Sequence, residues 1–87
     1  MDTTKLRYYV TAVQLGSYEA AGKALFVSAP AIARAVHELE HTYHVKLMQK
    51  SGTRATPTPI GRSFCDKAEE ALRRMKDMEP LTHTAAR

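Results

Sequence analysis

The sequence predicts a mainly α-helical fold: three short helices, a small β-hairpin and then one long helix. Three observations predict it. Apolar residues recur at steps of three and four in two separate stretches, Leu6-Tyr9-Val10-Val13 and Ile32-Val36-Leu39. Ser28-Ala29-Pro30 and Thr58-Pro59 each set a capping side chain just ahead of a proline, a pairing suited to a helix start. Val45 to Lys50 opens in strand-like alternation and runs into the turn residues Ser51-Gly52-Thr53.

With 87 residues and 44% hydrophobic side chains, the chain suits one domain with a single modest core. The formal charge of +4 favours an anionic partner, though only weakly. One cysteine, Cys65, excludes an internal disulfide and fits a reducing compartment. No apolar run approaches the ~20 residues needed to span a bilayer, and the start lacks the basic-then-apolar pattern of a signal peptide. A soluble cytoplasmic domain is expected.

Thr3 or Thr4 is the expected cap of the first helix, which Gly16 ends and Ser17 restarts. The second helix, Tyr18 to about Leu25, carries Ala20, Ala21 and Ala24, a low surface across which another helix can pass closely. Gly22 costs it roughly 1 kcal/mol against Ala, so tight packing is expected there. Leu25-Phe26-Val27 then turns into a third helix, capped by Ser28 and running to about Tyr43. Two helices joined by so short a turn form a helix-turn-helix.

On the third helix, Ile32, Val36 and Leu39 face inward. The opposite side, through Ala29, Pro30, Ala33, Arg34 and His37, is small apart from one guanidinium and one imidazole. Such a face can approach another surface closely, and the major groove of DNA is the expected one. Val45–Lys50 and Arg54–Pro57 make a hairpin, the wing, whose second strand Pro57 restricts to a sheet edge. A long helix then starts at Thr58-Pro59 and is expected to end at Glu79-Pro80. Ile60, Phe64, Ala68, Ala71, Leu72, Met75 and Met78 stripe it, and at ~30 Å it outreaches the domain body. Its outer apolar surface calls for a partner, most economically a second copy.

The chain resembles the DNA-binding region of LysR-type transcriptional regulators from Lys5 to about Met78. The resembling residues are Leu6-Arg7-Tyr8-Tyr9-Val10, Gly16-Ser17-Tyr18, Ala20-Ala21, Leu25 and Val27-Ser28. They continue through Pro30-Ala31-Ile32, Arg34, Leu39-Glu40, Val45-Lys46-Leu47, Thr58 and Gly61. The resemblance implies a winged helix-turn-helix over residues 1–58, a linker helix for dimerisation over 59–79, and a tail or hinge over 80–87. It also implies binding to interrupted palindromes near promoters, with tetramers possible in the full-length protein. A small-molecule inducer is expected on a C-terminal domain absent here; no cofactor is expected in this chain. The chain is expected to be a fragment cut after the linker helix or, less favoured, an unusually short natural protein.

Several residues depart from the family pattern. Ala29 stands where Gln is usual and Ala33 where Ser is, leaving methyl groups that suit thymine methyl contacts. Met48 replaces Phe, and Lys50 replaces Arg, keeping charge without the bidentate fork. His44 stands for a common Gly, Pro57 for Leu, and Thr53 for a basic residue at the wing tip.

The expected DNA-contacting residues are Ser28, Ala29, Pro30, Ala31, Ala33, Arg34, His37, Lys50, Thr53 and Arg54. Arg34 can fork to guanine O6 and N7 or hold a phosphate; out of context it is a solvated surface arginine. Ser28 is a helix cap and can also face a phosphate. Pro30 and Ala31 sit at the helix tip, where the resemblance implies apolar base contact. Lys50 and Arg54 suit backbone or minor groove, or are plain surface charge. The expected dimer contacts are Phe64, Ala68, Ala71, Leu72 and Met75, against the alternative that they pack on their own domain.

His37, His41 and His44, spaced by four and three, can share a helix face and bind zinc with Glu38 or Glu40. With no second cluster, surface histidines are the preferred reading. Cys65 reads as a small, partly buried residue rather than a redox sensor. No paired-carboxylate site, positioned nucleophile or glycine-rich phosphate loop suggests an enzyme. The competing function is a winged-helix protein-interaction module, made thinkable by Ala29, Ala33 and Thr53.

Overall fold

The computed structural model describes residues 3–85, and for residues 79–85 the backbone alone. The elements run α1 (Thr4–Leu15), α2 (Tyr18–Leu25), α3 (Ala29–Tyr43), β1 (Met48–Ser51), β2 (Arg54–Pro57) and α4 (Pro59–Ala85). The helices start and stop on local chemistry. Ser17 Oγ accepts from Ala20 N at 2.9 Å and opens α2, and Ser28 Oγ accepts from Ala31 N at 3.2 Å to open α3. Gly16 closes α1 in the left-handed region, at φ 79°. Thr3 stands at the cap of α1, but its side chain makes no capping bond, contrary to expectation. Its α-region backbone, φ −94° and ψ −4°, departs from the extended form typical of a capping residue.

The core lies where α1, α3, the wing and the start of α4 meet. Tyr9, Ile32, Val36, Leu47 and Cys65 are its largest fully enclosed side chains. Each of Ile32, Val36 and Leu47 contributes about 1.5–3 kcal/mol by leaving water. Tyr9 brings a hydroxyl into this apolar centre, and its proton faces two carbonyl oxygens, Leu47 O and Gly61 O, each at 2.9 Å. That contact ties α1 to the approach of β1 and to the first turn of α4. Beside it Phe64 packs edge-on against Tyr9 and Tyr43, with ring centroids 5.8 and 5.1 Å away.

The wing is an antiparallel pair in which Met48 faces Pro57 and Ser51 faces Arg54. Gly52, at φ 62°, supplies the positive φ that its two-residue turn requires. Ala55 plugs the wing into the core and donates its amide to Gly16 O at 2.9 Å. β1 begins at Met48, three residues later than the alternation suggested. Leu47 and Met48 donate their amides to Glu40 Oε2, at 2.8 and 3.3 Å, and Leu47 O accepts from Thr58 N at 3.3 Å. A carboxylate and a helix cap thus take the bonds a strand partner would have taken.

Thr58 opens α4 as expected: its hydroxyl accepts from Gly61 N at 3.0 Å and donates to Lys46 O at 2.6 Å. The helix does not stop at Pro80 but continues to Ala85. Proline deletes one amide rung, and the residues beyond it still bond among themselves. The expected tail therefore begins as helix, and its final residues 86 and 87 lie outside the described residues. At 27 residues α4 is about 40 Å long and sets the longest dimension of the 49 × 26 × 19 Å molecule.

Candidate nucleic-acid interface

Ser28, Pro30, Arg34 and His37 are exposed on α3, while Ala29, Ala31 and Ala33 are half-buried beside them. Steps of four and three align Pro30, Arg34 and His37 along one outward ridge. Ser28 caps the helix, and its oxygen is engaged by the Ala31 amide. The wing stands next to this ridge. Between them lies an open cleft of about 290 Å³, with Tyr18, Glu19, Ala29, Pro30 and Ala33 on the helical side and Lys50, Gly52 and Thr53 on the wing side.

The ten expected contact residues do not form a single cluster. Ala29, Pro30, Ala33, Lys50 and Thr53 meet in the cleft. Arg34 and His37 open onto a neighbouring one with Lys5, Glu38, His41 and Thr42. Arg54 lines a third cleft with Leu15, Gly16, Ser17, Glu19 and Thr53. Glu19 and Thr53 border both of the clefts beside the wing, and along α3 Arg34 follows directly on Ala33.

Lys50 is more constrained than a free surface lysine, because its Nζ lies 5.3 Å from the centre of the Tyr18 ring. Burial, with Glu40 adding to it, raises the Tyr18 hydroxyl above its ordinary range, so the ring stays neutral. Sequence reasoning missed Tyr18 and Glu19 as lining residues. The signal available was the helix-turn-helix itself, which brings the start of α2 beside the tip of α3. It also missed Lys5, which pairs with Glu38 at 3.0 Å across 33 residues; local pattern carries no sign of that contact.

The histidine cluster resolves into surface groups. His37, His41 and His44 are all exposed, and the rings of His41 and His44 lie 6.2 Å apart. Glu40 is occupied by the Leu47 and Met48 amides. Among the described residues, no group of three or more His, Cys, Asp or Glu side chains is placed to hold a metal ion. Cys65 is fully enclosed rather than partly buried. Burial pushes its thiol up to about 12, and a hydrogen bond to Glu69 Oε1 at 3.4 Å adds to the shift.

Of the expected dimer contacts, Ala68 is buried against its own domain and offers nothing to a partner. Phe64 is half-covered by Tyr9 and Tyr43, and Leu72 is half-buried. Ala71 and Met75 are exposed, as are Ile60 and Met78 on the same stripe. The inner edge of α4 completes the core and the outer edge faces solvent. No helix among the described residues is long and apolar enough to cross a membrane.

Three helices, a hairpin and a following long helix, with α2 and α3 joined by a tight turn, define a winged helix-turn-helix. Residues 3–62 match the family described as "Bacterial regulatory helix-turn-helix protein, lysR family", and the chain belongs to that family. Among curated relatives, the HTH-type transcriptional regulator TfdS of Cupriavidus pinatubonensis (strain JMP 134 / LMG 1197) is 35% identical over 72 residues. That match takes in 83% of this chain and 24% of the relative. TdcA of Escherichia coli (strain K12) is 29% identical over 76 residues, 87% of this chain and 24% of its own. The chain spans about a quarter of the length of these relatives.

Among solved structures, the CbnR DNA-binding domain in complex with DNA superposes with a TM-score of 0.91 at 30% identity, covering 100% of both chains. The BenM DNA-binding domain bound to benA site 1 DNA gives 0.89 at 27% identity, covering 99% of this chain and 97% of that one.

Proposed function

We propose that this chain is the sequence-specific DNA-binding domain of a LysR-type transcriptional regulator. It binds an interrupted palindromic promoter site as a dimer, with α3 in the major groove and the wing on the flanking backbone or minor groove. The observation that carries the reading is the outward ridge of α3. Small residues there let the helix approach base edges, Arg34 supplies a forked donor, and Lys50 lies across the cleft on the wing. The full-length likeness to the CbnR domain, whose structure is a DNA complex, supports the same reading.

Ala29 and Ala33 present methyl groups toward the cleft, so specificity rests on Arg34, on apolar contacts to thymine methyls and on DNA shape. The exposed stripe Ile60, Ala71, Met75 and Met78, with Leu72 at its edge, forms the dimer face. The domain acts in the cytoplasm without catalysing a reaction. A small-molecule inducer and any tetramer contacts belong to the remaining length of the full regulator.

A gel-shift titration of duplex DNA across salt concentrations tests the reading. Each neutralised phosphate lowers log K by about 0.9 per unit of log salt, so a steep linear fall is expected. A chain that leaves duplex DNA unbound at low salt is a protein-interaction module instead.

A further inference from the structure

The register of the wing aims Lys50 inward. It stands opposite Ala55 in the hairpin and two residues along β1 from Met48, so the three side chains leave on one face. Met48 and Ala55 are buried in the core, which makes this the face that meets the helices. There the Lys50 Nζ comes to 5.3 Å from the centre of the Tyr18 ring on α2. That ring is 8% exposed, so the core sets its place. The backbone of the wing is set too. Glu40 holds the Leu47 and Met48 amides, and the Ala55 amide is held by Gly16 O. What remains free is the flexible stem of the lysine, and the ring is what that stem meets.

Glu19 lines the same cleft, yet among the described residues neither Lys50 nor Glu19 is in an ion pair. The difference matters. A carboxylate would fix the ammonium and cancel its charge. A neutral ring fixes it and leaves the charge whole, with N–H donors to spare for a ligand.

We propose that Tyr18 is a positioning residue for DNA binding, whose ring holds the charged Lys50 ammonium over the cleft between α3 and the wing, ready for the duplex. The proposal rests on the DNA-binding reading and adds how the cation of the wing is set in place before DNA arrives. The side-chain freedom that a lysine loses on meeting DNA is here already restricted in the free chain, which tightens binding.

Two measurements test it. In the NMR spectrum of the free 87-residue chain, the Lys50 ε-methylene protons should lie upfield of their ordinary position, shifted by the Tyr18 ring. Tyr18→Leu should return them to it. Affinity for a mixed-sequence duplex is then read by fluorescence anisotropy at fixed salt, with a thermal melt of each variant. Tyr18→Leu should weaken binding by about two- to fivefold, and Tyr18→Phe, which restores a ring, should recover the loss. In a Lys50→Gln background, Tyr18→Leu should weaken binding no further.

Lys50 resonances unshifted in the unaltered chain overturn the proposal without recourse to any variant, and leave the DNA-binding reading standing. So does a Tyr18→Leu chain of unaltered affinity, or a Tyr18→Phe chain as weak as Tyr18→Leu. A Tyr18→Leu loss that recurs in full in the Lys50→Gln background makes the ring merely structural and overturns it as well. An unaltered chain that leaves the duplex unbound overturns both.

Discussion

Arg34 and Tyr9 show how differently single side chains serve this domain. Arg34 is exposed, touches the cleft shared by α1 and α3, and takes no part in the core. Its replacement by Ala should leave the fold intact and weaken binding to a selected duplex by about 1–3 kcal/mol, read by gel-shift titration. Unchanged affinity would remove it from the interface. Tyr9 is fully enclosed, and its hydroxyl serves carbonyls from two distant segments. Tyr9→Phe keeps the ring and removes the hydroxyl's bonds, while Leu47 O keeps the Thr58 amide, so urea unfolding should show a loss of about 0.5–1.5 kcal/mol.

Cys65 carries the clearest pH signature. Its thiol is raised from 9.0 to about 12 by burial and then by Glu69. An unfolded chain releases that proton above its ordinary value while the folded chain keeps it, so stability falls as pH rises from about 9 toward 12. Burial also raises the Tyr9 and Tyr18 hydroxyls, which extends the loss in the same direction. Alkaline unfolding is expected, and thiol reagents at neutral pH should label Cys65 only as fast as the domain opens. Rapid labelling of the native chain would contradict the enclosed thiol.

At the scale of elements, two glycines hold the joints of the fold by being small. A Cβ on Gly61 would meet Leu47 O in hard overlap and come within 2.8 Å of the Tyr9 hydroxyl. One on Gly22 would come within 2.6 Å of Val27 O. Gly61→Ala should therefore destabilise the domain by about 1–3 kcal/mol, although Ala favours helices by about 1 kcal/mol. A thermal melt that moved upward would contradict the packing described. The tight packing expected at Gly22 is found, but against the turn leading to α3 rather than a crossing helix.

Much of the element order was legible in the sequence because it rests on local chemistry. Gly16, Ser17, Ser28, Gly52 and the Thr58-Pro59 pair each act within a turn of their own position, so their meaning is local. The bounds of α2 and β2 follow from them. What escaped were contacts between distant residues. Glu40 reaching Leu47 shortened β1, the Tyr9 hydroxyl bridges 38 and 52 residues, and Lys5 meets Glu38 across two helices. The site was legible to the same extent. The ridge on α3 follows from helical period, whereas its division between two clefts depends on where α1 and the wing come to rest.

For the whole molecule, α4 carries the proposed dimer face. Its inner edge supplies Cys65 and Ala68 to the core, while Met75 and Met78 are 41% and 58% exposed farther along. Pairing with a second α4, as proposed, would cover them. Met75→Glu should cost the dimer about 1.5–3 kcal/mol without touching the core, seen by light scattering as dissociation at lower dilution. On the proposed reading, two copies related by a dyad present two α3 ridges to one duplex and read paired half-sites together.

Selection of bound sequences from a random pool of duplex DNA tests that central claim most directly. Enrichment is expected of two short half-sites related by two-fold symmetry and separated by an unselected spacer, with thymine among the bases facing Ala29 and Ala33. A pool that emerges with no preferred sequence, or with a single unpaired site, would contradict it.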